Sequence, residues 1–373
     1  MSERFDLVVV GGGVIGLACA WRAAQRGLQV CVLDAGAPGS ASQAAAGMLA
    51  PASELGESAR RLTALNRASY AAYPAFVAEL QEATGTELCF SLCGCLVVAL
   101  DAEAEPELEA LHALQQAEGL QSELLDAAGC RALEPAIGSD VRAGLWTRDE
   151  GQVDPRGLVA ALEQACAAEG VSIEHGATVE HAELEGERIV AVATKTERFP
   201  AERVLLAAGA RSGTEAWLPA AVRLPVEPVK GQLLRGRLAE PPARLLVRSA
   251  SAYVVPRPDG RVVVGATSER SGFDESRTAE ARDELLAAAT RFLPAIAAVR
   301  DPEHCVGFRP GTPDGLPLIG ATAVDGLLVA TGHYRNGILL TPITATTVEA
   351  LLTGDAAPPE AAAADPARFA SAS

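Results

Sequence analysis

Residues 5–34 read FDLVVVGGGVIGLACAWRAAQRGLQVCVLD: an apolar run, then Gly11-x-Gly13-x-x-Gly16, a helical stretch, a second apolar run and Asp34. The order is that of a dinucleotide-binding βαβ unit. Leu7 to Val10 reads as a parallel strand buried on both faces, and Gly11 supplies the positive φ of the tight turn that follows. Gly13 has no Cβ to keep a pyrophosphate from the backbone, and Gly16 lets the helix lie close on the sheet. The free N–H groups of the helix N-terminus then face the phosphates. Asp34 stands 23 residues after Gly11, near the spacing at which a carboxylate accepts from ribose hydroxyls and repels a 2′-phosphate. An adenine dinucleotide lacking that phosphate is expected. The motif itself does not separate FAD from NAD.

At 373 residues the chain suits two domains. Hydrophobic residues make up 49%, yet no apolar run reaches the roughly 18 residues that span a bilayer. Glu3 and Asp6 precede the first strand and exclude a signal-peptide reading, so a cytoplasmic enzyme is expected. The net charge of -17 repels nucleic acid and anionic lipid. Five of the eight cysteines fall in apolar or helical runs, where Cys behaves as a small hydrophobe, and reduced core thiols are expected. Cys89, Cys93 and Cys95 lie close together, but no second pair or His follows at zinc-site spacing, so no metal is expected.

After Asp34 the segment AGAPGSASQAAAGMLAPAS is made almost wholly of small residues, which bring backbone close to a ligand. Helices are expected within 56–83, over Ala104–Glu118, from Pro155 behind an Asp154 cap, over Ala279–Phe292, and from about Ile338 to Leu352. Short strands over VSIEHGATV, RIVAVAT and ERVLLAAGA return to the first sheet. From Val226 to Gly265 the pattern turns to strand-turn-strand, with Pro258-Asp259-Gly260 as a hairpin turn, and an antiparallel sheet is expected. The fold class is α/β: a discontinuous Rossmann-like nucleotide-binding domain (1–84, 147–215, 306–355) and an α+β substrate domain on the antiparallel sheet (85–146, 216–305). A flexible tail is expected over 356–373.

Four further segments carry a resemblance: AAAGMLAP; VLLAAGARS with PVKGQLL; YVVPR with VVVGAT; and GFRPGTPDGLPLIG followed by GHYRNGILL. With them the chain resembles the FAD-dependent D-amino-acid oxidase family and, within it, the glycine oxidases of thiamine biosynthesis. The resemblance implies noncovalent FAD. It places around it Gly11, Gly13, Val14, Ile15, Gly16, Asp34, Ala35, Ala41, Ser42, Ala46, Gly47, Met48, Val179 and Gly209. Gly332, His333, Tyr334, Arg335, Asn336, Gly337 and Ile338 join them as a loop before a helix whose positive end would favour reduced flavin. Implied too are hydride transfer from the Cα of a small amino acid to flavin N5, reoxidation by molecular oxygen to peroxide, and a homo-oligomer.

An arginine suits the substrate carboxylate because its planar fork binds bidentately and keeps its charge. Arg309 stands in an apolar, Gly/Pro-rich passage where such a charge needs a partner, either that carboxylate or an internal acid. The resemblance makes it the carboxylate ligand, with Tyr253 adding a hydrogen bond and Arg335 contacting substrate beside the flavin. Asp34 stands where this family more usually has Glu. Ser251 and Ala252 precede Tyr253 where relatives carry bulkier or more polar residues, which predicts a wider or less polar pocket. Rival readings are a dehydrogenase with another acceptor, a flavin-dependent tRNA methylaminomethyl-uridine oxidoreductase, and a non-catalytic FAD-binding protein. The run Arg235, Arg237, Arg244 and Arg248 would be the RNA surface of the second, but reads as a solvated face.

Overall fold

A computed structural model describes residues 4–55 and 61–369. The part of the helical expectation over 56–60 and the last four residues of the tail lie outside the described residues.

The opening stretch forms strand β1 (Phe5–Val10), helix α1 (Val14–Gln25) and strand β2 (Val30–Asp34). β1 lies at the centre of the first sheet, whose main path runs Leu318–Ala321, Leu327–Thr331, Arg198–Leu206, β1, β2, Ser172–His175. Along this path the strands are parallel except the Leu318–Ala321 edge, and off it Arg188–Ala193 pairs antiparallel with Arg198–Leu206. Leu7 and Val9 pack into one apolar cluster and Val8 and Val10 into another, so both faces are covered and the unbroken apolar run is explained. α1 is buried along most of its length and packs on α2 (Thr341–Thr353) and on the helix Pro155–Ala168.

The second sheet runs β7 (Glu303–Gly311), β3 (Glu227–Arg237), β6 (Arg261–Gly265), β5 (Tyr253–Pro256), β4 (Leu246–Arg248), then Cys95–Ala99, Ala143–Thr147 and Ser122–Asp126. All pairs are antiparallel but one: β4 runs parallel to Cys95–Ala99. β5 and β6 are joined at the expected turn, with Gly260 at φ 81° and its N–H donating to Arg257 O.

Three expectations need correction. β7 continues through Gly311 on the second sheet, so the division expected at 305/306 cuts through a strand, and Arg309 belongs to the substrate sheet. The last helix starts at Thr341, not near Ile338: Leu340 has ψ 1°, Pro342 sits in the first turn, and a separate turn closes ahead of it with Leu340 N–H on Asn336 O. The loop therefore approaches the cavity through its own N–H groups. Nor is the tail loose up to Phe369. Pro359–Ala364 and Pro366–Phe369 form short 3-10 turns, Ala361 and Ala364 are buried, and Arg368 Nε reaches Asp314 Oδ2 at 2.8 Å. Alanine-rich composition suggested disorder, but small side chains allow close packing and Arg368 supplies the anchor.

Candidate active site

The turn after β1 is shaped by what glycine lacks. Gly11 has φ 116°, and a Cβ there would stand 2.5 Å from Ala207 O at the end of the adjacent strand. One at Gly16 would overlap the carbonyl of Gly11, so Gly16 sits behind the wall as a spacer. Val14 N–H donates to Ser42 Oγ and Gly12 N–H to Asp34 Oδ1, each at 3.1 Å, which fixes the turn against both flanking segments. Gly13 and Ile15 N–H groups have no acceptor among the described residues, as suits a phosphate site at a helix N-terminus.

This turn opens on a cavity of about 330 Å³ between the two sheets. Every expected site residue lines it except Gly16 and Gly332. Gly332 instead makes the bend into the loop with φ 75°, close to the Thr312 methyl. Arg309 and Tyr253 come to this wall from β7 and β5, and Arg335 from the loop. The Arg309 Nη1 donates to Thr267 O at 3.0 Å and Lys230 O at 3.5 Å, and no carboxylate pairs with it among the described residues. An internal acid, the alternative partner, is thus not there. Gly231 leaves the space the guanidinium fills, and Gly265 the space of the Tyr253 hydroxyl: a Cβ on either would overlap that group. Burial raises the Tyr253 pKa, opposed by Arg309, and the phenol stays a protonated donor at neutral pH. His333 is buried, with Nε2 3.0 Å from Thr344 Oγ1, and burial lowers its pKa to about 3. It is neutral and holds the loop to α2.

The 41–48 segment is held from outside. Arg156 Nε donates to Gln43 O, Arg235 Nη2 to Gln43 O and Ala45 O, and Arg257 Nη2 to Ala46 O. Arg257, 2% exposed, also donates to Val153 O and Gln152 Oε1, and burial lowers its pKa to about 10. Arg257→Met strands these acceptors in a dry site and is expected to cost about 2 to 5 kcal/mol. Thermal melts and cofactor retention on gel filtration check it: an unchanged Tm with full retention would remove Arg257 as the strut.

Sequence reasoning missed Arg248, Glu54, Arg211 and Phe273, all on the wall. Arg248 was hidden in the arginine run, which does not form one solvated face: Arg235 holds the cofactor segment, Arg237 pairs with Asp259, Arg244 reaches Leu133 O, and Arg248 enters the cavity. Its place directly across from Tyr253 on β4 is set by strand register, which the sequence does not display. Arg248 and Glu54 also supply polarity that Ser251 and Ala252 do not, against the expectation of a less polar pocket. Arg211 stacks over Phe273 at 4.5 Å, and Phe273 meets Phe308 edge-on at 5.1 Å. Cys305, the one cysteine near Arg309 in sequence, does not line the cavity. All eight cysteines are free, and no metal-binding cluster occurs among the described residues.

Behind this wall Glu150 is fully buried and accepts from Ser53 N, Ser53 Oγ and Ala52 N. Burial raises its pKa to about 7 from an ordinary 4.5. Native Glu150 therefore holds its proton where the unfolded chain has lost it, so the stability it confers is complete below pH 4.5 and is lost as pH rises toward 7. Glu150→Gln is expected to flatten the fall in Tm across that window. Parallel Tm–pH curves for both proteins would exclude Glu150 as the titrating group.

The FAD dependent oxidoreductase family model matches residues 6–351. The Synechocystis bifunctional protein ThiO/ThiG is 38% identical over 99% of the chain, which covers 55% of that protein; the chain spans about half the length of such relatives. The glycine oxidase of Pseudomonas aeruginosa is 36% identical over 95% of the chain and 96% of its own length. The crystal structure of glycine oxidase from Geobacillus kaustophilus superposes with a TM-score of 0.90 at 32% identity, covering 98% of each chain.

Proposed function

Because the chain belongs to the FAD dependent oxidoreductase family, we propose that it oxidatively deaminates glycine and other small amines, sarcosine and small D-amino acids among them. The products are glyoxylate or the matching keto acid, hydrogen peroxide, and ammonia from a primary amine or methylamine from sarcosine. The observation that carries this reading is Arg309: a cation on the cavity wall, anchored by two backbone carbonyls and left without an internal carboxylate. The likeness to glycine oxidases over the whole chain supports the substrate class.

The cavity fits FAD. The phosphates would meet Gly13 and Ile15 N–H groups, the ribose Asp34, and the small-residue segment 41–48 together with the 333–338 loop would enclose the rest. When bound, FAD supplies the two-electron acceptor and passes the electrons to oxygen. Arg309 and Tyr253 then fix the substrate carboxylate, one by a charged fork and the other by a hydroxyl donor on the same face of the sheet. Held at its carboxylate, a small amino acid has little freedom left, so its Cα–H is presented in one orientation. No side-chain base is needed for loss of a hydride, and the neutral, Thr344-bonded His333 is not placed to be one. The phenylalanine pair at 273 and 308 limits water on this wall.

We assign the protein to the cytoplasm, which the eight free thiols support, to a homo-oligomer, and to thiamine thiazole biosynthesis. Among the described residues no helix is long and apolar enough to cross a membrane. The test is anaerobic mixing of the yellow protein with glycine, sarcosine and D-proline, then admission of air. Bleaching by glycine followed by peroxide release is expected. Bleaching without reoxidation in air would replace oxygen by another acceptor, and no bleaching by any of the three would overturn the substrate class.

A further inference from the structure

Beside the main cavity lies a second, of about 310 Å³. Glu54, Arg248, Tyr334, Arg335 and Asn336 line both, so the two spaces meet across these side chains. Arg248 stands at that junction, directly opposite Tyr253 in the β4–β5 pair, and side chains so paired lie on one face about 5 Å apart at Cβ.

Arg248, like Arg309, makes its contacts through Nη1 alone, though one of them is to the carboxylate of Glu54. The acceptors are Ser53 O at 3.1 Å, Ser53 Oγ at 3.4 Å and Glu54 Oε1 at 3.4 Å. Nη2 and Nε have no acceptor among the described residues, and neither is a sealed, unsatisfied donor, so this edge of the fork is open to the cavity. Arg309 likewise spends Nη1 on two carbonyls and leaves the same edge open. An open Nη2/Nε edge is the side that takes a carboxylate bidentately. The ion pair with Glu54 is single and long, so it orients Arg248 without using that edge.

The charges agree. Arg248, Arg309 and Arg335 line the cavity together with Tyr253 and the carboxylate of Glu54. One substrate carboxylate leaves that group positive, and a second brings it to neutrality. We propose that Arg248 is a second carboxylate subsite, and that the substrates include amino acids bearing a second carboxylate on the amine or side chain. This deepens the reading of the site as an amino-acid oxidase and rests on it.

The test compares charged and neutral isosteres on the holoenzyme: D-aspartate against D-asparagine, and N-(carboxymethyl)glycine against sarcosine. In at least one pair the charged member is expected to have the higher kcat/KM, by tenfold or more. Arg248→Met should lower that ratio at least tenfold, Arg248→Lys should restore part of it, and Glu54→Gln should raise it. A parallel titration needs no turnover: succinate should perturb the flavin spectrum at concentrations at least tenfold lower than succinamate does, and Arg248→Met should abolish the difference. No preference for the charged member in either pair or in the titration, or a preference untouched by Arg248→Met, overturns the subsite. Should glycine itself fail to bleach the flavin, the activity reading falls while the succinate titration still decides the subsite.

Discussion

Arg309→Leu is expected to cut kcat/KM for glycine by about 100- to 10,000-fold while the purified protein stays yellow. The two charged hydrogen bonds of a fork contribute about 1.5 to 3 kcal/mol each, and about 1.4 kcal/mol corresponds to a factor of ten. Leucine keeps an apolar body beside Gly231 while it removes the charge and the donors. Because the carboxylate is held alike before and during hydride loss, most of the effect belongs in KM. Arg309→Lys keeps the charge on a different shape and should recover only part of the loss. Steady-state kinetics with glycine, beside the flavin spectrum of each variant, checks both. An unchanged KM with an intact spectrum would take the carboxylate away from Arg309.

Gly11→Ala should yield colourless protein. Its Cβ would come within 2.5 Å of the carbonyl of Ala207, a residue held by its N–H to Val10 O, at a φ of 116° that alanine disfavours. Neither conflict is relieved by rotating a side chain, so the turn must move and the Gly13 and Ile15 N–H groups move with it. The flavin-to-protein absorbance ratio after purification reads the outcome, with circular dichroism confirming a folded chain. A yellow, fully loaded variant would show that the turn tolerates a Cβ and that the close packing described here is not what it requires.

The first sheet was legible because local signals agree there: an apolar run, three spaced glycines and a terminal acid describe one unit within 30 residues. The Pro258-Asp259-Gly260 turn was legible for the same reason. Arg309 and Tyr253 lie 56 positions apart, and only the resemblance brought them together before the sheet did. What stayed hidden was set by cross-strand register. Four arginines within 14 positions look like one charged face, yet strand pairing sends Arg235 toward the cofactor segment and Arg248 into the cavity. The boundary at 305/306 failed because β7 crosses it without a break in composition. The tail misled because alanine-rich sequence carries no sign of the contact that Arg368 makes with Asp314.

The three arginines that grip the carbonyls of residues 43, 45 and 46 come from the helix Pro155–Ala168, from β3 and from the β5–β6 turn. A wall held from three sides before any ligand arrives loses little conformational entropy when one does. FAD should accordingly leave slowly on dilution, the release waiting on separation of the two sheets and not on fluctuation of a loop.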